Sequence, residues 1–306
     1  MQKKKLIVFI FVLVLLGISL HIFTGFFSGY ERIDERDANY WNYTQDGLIE
    51  GAGGFEINGS KDVCWLLVHS YCATPLEMRE LSSNISNNFG DYVKVLRLKG
   101  HGRVPSKIIN LSIKDWYKQT DSEYENMKLE CNKINVLGSS YGGTIALNLA
   151  KEHSHDEKFN HLYVLNGYLG VGYKWYYILE PNYYISLFSD SWKYVKKTEI
   201  ALINSEQGKN NHVAYWNMPL TNVKNSINFV EKSKKNVSKI NSPALFLHSR
   251  EDGAASYKLV ENIYSNINST NKKIKYFDAS NHILLMDYNK SEVIESVIEF
   301  EKKIRK

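Results

Sequence analysis

Short apolar runs of strand length alternate with amphipathic stretches through most of the chain. The runs are Val63–Val68, Val93–Leu98, Ile134–Leu137, Leu162–Leu165, Ala244–Leu247 and Ile274–Phe277. Between and after them, Met78 to Phe89 and Val293 to Ile304 carry apolar residues at helical spacing. Such alternation predicts an α/β architecture: a mostly parallel central sheet with helices on both faces. Polar residues that act on a ligand then belong at the carboxyl ends of the strands.

Two stretches break the pattern. Residues 167–240 are too long for a simple loop in a compact domain. They hold Tyr168, Tyr173, Trp175, Tyr176, Tyr177, Tyr183, Tyr184, Phe188, Trp192 and Tyr194. This segment reads as a lid inserted over the site, its aromatics lining an apolar pocket, packing the lid onto the core, or dipping into a membrane interface. At the other break, Met1-Gln2-Lys3-Lys4-Lys5 leads into an uncharged apolar run from Leu6 to about Phe27. A helix needs ~20 apolar residues to cross a bilayer, and this run has that length. Its exit, Thr24-Gly25-Phe26-Phe27-Ser28-Gly29, is bulky and offers no convincing small-x-small pair for cleavage, which favours an uncleaved transmembrane anchor over a signal peptide. The leading lysines would stay cytoplasmic and place the main domain on the extracytoplasmic side of the membrane. The expected division is therefore an anchor (1–27), a polar stalk (28–54) and a single catalytic domain (55–306).

Composition narrows the picture. The 306 residues are 43% hydrophobic and 23% charged, which suits one globular domain with a large core plus the extra amino-terminal part. The net charge of +5 owes something to the leading lysines, and no basic block alternates with aromatics, so nucleic acid is not an expected partner. The three cysteines, Cys64, Cys72 and Cys131, are too few for a disulfide framework. Reduced thiols are expected, the alternative being one bond and an odd thiol on an exported domain. His153 and His155 lie in a polar stretch and read as solvated, so no metal site is expected there.

The chemistry centres on Gly138-Ser139-Ser140-Tyr141-Gly142-Gly143, directly after the run Ile134–Leu137. A hydroxyl is a weak nucleophile until a base reaches it, so it must protrude from a sharp strand-to-helix turn. Crowded backbone at such a turn favours glycine on both sides of the central serine. Ser140 is the candidate nucleophile. Asp252, in the loop after Ala244–Leu247, is the candidate orienting acid, with Glu251 as the fallback. His282, in the loop after Ile274–Phe277, is the candidate base, with His248 as the fallback. The order serine, acid, histidine, each just past a strand, is that of hydrolases with a serine nucleophile. Developing charge on a carbonyl oxygen needs preorganised N–H donors, and the backbone amides of Tyr141 and Tyr71 are the candidates.

The segments Leu66-Leu67-Val68-His69-Ser70-Tyr71, Thr74 to Leu81, Leu98-Lys99-Gly100-His101-Gly102, Asp115-Trp116 and the surroundings of Ser140, Asp252 and His282 resemble bacterial carboxylesterases and monoacylglycerol lipases of the α/β-hydrolase superfamily. The resemblance implies an α/β-hydrolase fold that hydrolyses carboxylic esters without metal or cofactor. One position departs from the family pattern: Ser70 stands where glycine follows the histidine, at the turn that must present Tyr71 N–H. A membrane-anchored serine esterase acting on monoacylglycerols or other medium- to long-chain esters is the expected function. The alternatives are a lysophospholipase or thioesterase with the same groups, or a catalytically silent binding module. Nothing in the chain indicates an oligomeric state.

Overall fold

The computed structural model describes residues 9–19, 32–171, 183 and 193–306. Seven strands form the main sheet in the order β1-β3-β2-β4-β5-β8-β9. They are β1 (Phe55–Ile57), β2 (Ser60–Val68), β3 (Asp91–Leu96), β4 (Lys133–Ser139), β5 (Phe159–Leu165), β8 (Ala244–Ser249) and β9 (Lys272–Phe277), and a separate two-stranded ribbon joins β6 (Tyr194–Lys196) to β7 (Asn217–Pro219). Only β1 runs antiparallel in the main sheet. Each apolar run predicted from the sequence lies on one of these strands. The exception in extent is Val93–Leu98, whose strand ends at Leu96 because Arg97 and Leu98 turn into the loop that carries Gly100 and Gly102.

The two faces of β2 show why these runs are apolar throughout rather than alternating. Cys64, Leu66 and Val68 pack into one core with Val136, Ile145 and Leu149, while Trp65 and Leu67 pack into another with Leu81, Ile85, Val293 and Val297. Helices α1 (Glu35–Tyr40), α2 (Arg79–Phe89), α3 (Ile113–Met127), α4 (Tyr141–Glu152), α5 (Glu206–Asn211), α6 (Leu220–Ser233), α7 (Tyr257–Asn266) and α8 (Lys290–Ile304) follow in chain order. Among them, α3 and α4 supply the first core, and α2 and α8 the second. A parallel strand covered on both sides has no polar face to show. The ends of the helices are written locally as well. Ser112 and Asp115 exchange hydrogen bonds across the first turn of α3, and Gly90, at φ 68°, ends α2 in the left-handed conformation.

After β2 the chain turns to one side to form β3, then crosses to the other side of β2 to form β4. The carboxyl ends of β2 and β4 flank that switch in direction, which is where parallel sheets open a crevice.

Three expectations need correction. No helix among the described residues is long and apolar enough to cross a membrane. Residues 9–19 of the expected anchor are helical. Residues 6–8 and 20–27 of that run lie outside the described residues. The transmembrane helix and the membrane partnership rested on hydropathy and length, and the extracytoplasmic placement on the leading lysines; the described residues give them no span. Second, Cys64 and Cys131 form a disulfide and only Cys72 is a free thiol. Cys64 is paired with Ile134 across β2 and β4, so Cys131, three residues before it, lies beside Cys64 despite a sequence separation of 67. Third, residues 32–54 are packed down rather than standing as a stalk. The buried Asp37 carboxylate accepts from Trp216 N–H at 2.8 Å and Asn217 N–H at 3.1 Å, and Asn217 Nδ2 donates to Ile33 O at 2.7 Å.

Candidate active site

The turn after β4 is tight enough to dictate its residues. Ser140 adopts φ 55° and ψ −117° immediately before α4. A Cβ on Gly138 would lie 2.0 Å from Gly142 O, and one on Gly142 would lie 2.1 Å from Val68 O, so neither position accepts a side chain. A non-glycine residue at such a φ is strained, and here the strain lifts the Ser140 side chain out of the sheet at the crevice.

There it meets the two other candidates. Ser140 Oγ lies 2.8 Å from His282 Nε2. On the far side of the ring, His282 Nδ1 lies 2.9 and 2.8 Å from the two carboxylate oxygens of Asp252. Asp252 Oδ1 also accepts from the N–H groups of Ala254 and Ala255, both at 2.8 Å. These bonds give the arrangement one direction. The carboxylate accepts from Nδ1–H, which leaves Nε2 as the acceptor facing the serine hydroxyl. Burial alone would raise Asp252, but the charge and hydrogen bond of His282, with His248 behind them, hold its carboxyl below the usual 3.8. Burial would likewise lower His282, yet Asp252, with help from Glu77, raises it above 6.5. The pair is thus built to carry a proton on the imidazole.

Tyr71 and Tyr141 stand on either side of the switch, with their rings stacked at 5.1 Å. Among the described residues neither backbone N–H donates to an acceptor. The fallback residues fall elsewhere. Glu251 bonds outward to Asn204 at 3.4 Å. His248 is fully buried with Nε2 3.4 Å from Asp252 Oδ2, and burial drops its pKa to about 4. His248 is therefore neutral and sits behind the acid. His69 is equally buried: Nε2 accepts from Leu98 N–H at 3.1 Å and Nδ1 donates to Ser70 O at 2.8 Å, which fixes the loop between them.

Two residues near this site were not singled out from the sequence. Asn166, at the end of β5 with φ 41°, accepts from Ser249 N–H at 2.8 Å and donates to Asn281 O at 3.0 Å and His282 O at 2.6 Å. It ties three strand ends together under the histidine loop. Asp287 accepts from Asn204, Ser205, Asn281 and Tyr288 N–H groups at 2.7 to 2.9 Å, binding the same loop to the inserted segment. A polar residue ending an apolar run was the only local signal for Asn166.

His153 is not the solvated side chain expected. Its Nε2 lies 2.7 Å from Asp121, and Glu125 and Asp156 flank it. Lys128 pairs with both of those acids. In the inserted segment, Tyr168 and Tyr194 are packed inward and Tyr183 is exposed. Tyr173, Trp175, Tyr176, Tyr177, Tyr184, Phe188 and Trp192 lie outside the described residues.

A strained serine between strand and helix, at the switch point of a mostly parallel sheet and bonded to a histidine–carboxylate pair, defines a hydrolase of the α/β type. The comparisons carry this further. The family described as serine aminopeptidase, S33, matches residues 87–289, and the chain belongs to it. The chain is 28% identical over 261 residues to a thermostable monoacylglycerol lipase of Bacillus sp. (strain H-257), covering 83% of this chain and 95% of that protein. It is 23% identical over 244 residues to a carboxylesterase of Bacillus subtilis (strain 168), covering 79% and 94% respectively. A solved structure from work on the metagenome-derived lipolytic enzymes LipS and LipT superposes with a TM-score of 0.73 at 24% identity, over 84% of this chain and 99% of that one. The chain is a carboxylic ester hydrolase.

Proposed function

We propose that the chain hydrolyses medium- to long-chain acyl esters, monoacylglycerols among them, through an acyl-enzyme on Ser140. The observation that carries this reading is the continuous bond path from Ser140 Oγ through His282 to Asp252. Ser140 Oγ attacks the ester carbonyl while His282 Nε2 takes its proton. Asp252 holds the ring through Nδ1–H and stabilises the imidazolium. The N–H groups of Tyr71 and Tyr141 receive the oxyanion. Collapse of the tetrahedral intermediate breaks the C–O bond, and the imidazolium gives its proton to the leaving alcohol. Water then attacks the acyl-serine with His282 again as base, releasing the acid and restoring Ser140.

Substrate class rests on the relatives. The relative from Bacillus sp. (strain H-257) and a structural neighbour from Saccharomyces cerevisiae are both described as lipases of monoacylglycerols. Each methylene buried by an acyl chain would contribute about 0.8 kcal/mol, or roughly fourfold in kcat/KM. The test is a p-nitrophenyl ester series from acetyl to dodecanoyl, run with the wild type and Ser140→Ala. The expected result is kcat/KM rising to at least octanoyl, with turnover falling ~10⁵-fold or more in the variant. A native preference for acetyl esters would replace the lipid reading with a small-ester one. Turnover surviving in a folded Ser140→Ala protein would move the nucleophile elsewhere.

A further inference from the structure

The proposed mechanism leaves one buried acid unused. Glu77, in the 3-10 turn Pro75–Met78, is 3% exposed. Its Oε1 accepts from Ser70 N–H at 2.6 Å and from Ser70 Oγ at 2.9 Å, while its Oε2 is buried and has no partner among the described residues. Ser70 Oγ also lies 3.0 Å from Ser139 Oγ, the residue before the nucleophile. A hydroxyl has one proton, so when Ser70 donates to Glu77 its lone pair accepts from Ser139. The bonds then run in one direction, from Ser139 through Ser70 to Glu77, linking the turn after β4 to the loop after β2.

Ser70 is pinned on every side. Its N–H and hydroxyl are held by Glu77, and its carbonyl accepts from His69 Nδ1 at 2.8 Å and from Ala73 N–H at 3.2 Å. That last bond closes a turn through Cys72 at φ 61°, and Tyr71 N–H is the next amide along. A position needing only bulk would hold an apolar side chain, because an incompletely paired buried carboxylate costs stability. Burial pushes Glu77 up to about 7 against the pull of Ser70, and His282 is the charged group that acts on it. Other charges near it are occupied. Arg79, Glu80, Asp287 and Lys290 line one cavity of about 600 Å³ with Glu77. Of these, Glu80 pairs with Lys290 at 2.5 Å, Arg79 covers the Phe55 ring, and Asp287 accepts four backbone N–H groups.

We infer that Glu77 is a positioning residue for ester hydrolysis, orienting the Ser70 peptide so that Tyr71 N–H faces the oxyanion and lending negative charge to the His282 imidazolium. The serine at position 70 is then part of a working link rather than a defect in the turn. This inference rests on the proposed roles of Ser140, His282 and Tyr71.

The test uses the full chain with Glu77→Gln and Glu77→Asp, measuring kcat and KM on p-nitrophenyl octanoate from pH 5.5 to 9, with fluorophosphonate labelling alongside. Misaligning one oxyanion donor should lower kcat roughly ten- to a hundredfold in Glu77→Gln, with KM changed less than about twofold. Removing a negative charge near His282 lowers its pKa, so the acid limb of kcat/KM should move to lower pH. Glu77→Asp should return the limb toward its wild-type position without restoring kcat, since it keeps the charge and loses the reach. Slow but complete fluorophosphonate labelling of Glu77→Gln would show the nucleophile intact and support the inference. Wild-type kcat and an unmoved acid limb in Glu77→Gln would overturn it. Should that variant not fold, Ser70→Ala decides, because it keeps the peptide and removes the hydroxyl link: a severalfold lower kcat supports the inference, and wild-type kcat overturns it. Labelling and turnover that persist in Ser140→Ala would sink the serine reading itself, whatever the Glu77 variants do.

Discussion

Two buried histidine–carboxylate pairs lie at opposite ends of the same sheet, and only one belongs to the candidate active site. His282 Nδ1 meets Asp252 at 2.8 Å, beyond the carboxyl ends of the strands. His161 Nδ1 meets Glu301 at 2.8 Å, toward the amino ends of β4 and β5. By distance and burial the pairs are alike, so what surrounds them makes the difference. Glu301 is saturated: Asn135 Nδ2 and Arg305 Nε donate to Oε1 at 2.9 and 2.7 Å, and the Tyr163 hydroxyl donates to Oε2. Arg305 goes on to Asp91, which also accepts from Trp65 Nε1 at 2.8 Å. Every strong donor there already has its acceptor, and no nucleophile is presented. At the other pair the imidazole's second nitrogen faces a hydroxyl on a strained residue, with two unused backbone N–H groups nearby. A closed network holds the fold, and an arrangement left open on one side is free to do chemistry.

The largest test of this contrast is Asp252→Asn. Losing the carboxylate removes what fixes the imidazole's orientation and steadies its charge, and kcat should fall by about 10⁴-fold. Thermal stability should change far less, because the amide keeps an acceptor for Ala254 and Ala255 N–H. Full activity in this variant would break the comparison at its catalytic end.

Glu301→Ala should do the reverse. It strands Arg305, the Tyr163 hydroxyl, Asn135 and His161 around a vacated acceptor, and removing one partner of a buried ion pair costs about 3–5 kcal/mol. Urea titration should show that loss as a lower midpoint with little change in slope. The kcat per folded molecule, measured well below the midpoint, should remain near wild type. A large fall in kcat would mean that the two ends of the sheet are coupled.

How far each pair was legible in the sequence follows from the same distinction. Ser140, Asp252 and His282 could be placed because each stands just past its own apolar run, in chain order, and a parallel sheet gathers such ends on one side. The serine also carries a local imprint, the glycines at 138 and 142 that its turn requires. Asn166 and Glu301 carry no such imprint. Their partners come from other elements, 116 positions away for Asn166 and His282 and 140 for His161 and Glu301. Only register brings them together. The Cys64–Cys131 bond was hidden for the same reason, since spacing says nothing about which strands adjoin. The amino-terminal run failed differently: hydropathy and length suggested a span, whereas no helix among the described residues is long and apolar enough to be one. The packed segment 32–54 looked like a stalk because its buried residues, Ile33, Asp37, Ile49 and Ala52, do not recur as a periodic apolar face.

The subtlest separation is by pH, because the two pairs titrate in different windows. In the proposed mechanism His282 must be neutral to take the serine proton, and Asp252 raises it above 6.5, so kcat/KM should decline as pH falls from 8 toward 6. Each pH unit below that pKa lowers the rate about tenfold. The fold has a different schedule. His69 and His248 are held down to about 4, and His212 to about 3, all by burial. Their folded pKa values are depressed, so the stability they contribute is present above 6.5 and is lost progressively as pH falls toward 4 and 3. Asp37 and Glu77 work against that trend. Burial raises them to about 6 and about 7, so their contribution is fully present below their unfolded values of 3.8 and 4.5 and disappears as pH rises through the folded ones. Glu301 goes last: burial would raise it, but His161, Tyr163 and Arg305 bring it down to about 2, so its share is intact above 4.5 and lost only toward pH 2. At pH 6 the protein should therefore be folded and slow, with circular dichroism unchanged and activity recovering at once on return to pH 8. If activity and circular dichroism instead fall together, the acid limb reports unfolding, and the titrating group is one of the buried neutral histidines rather than His282.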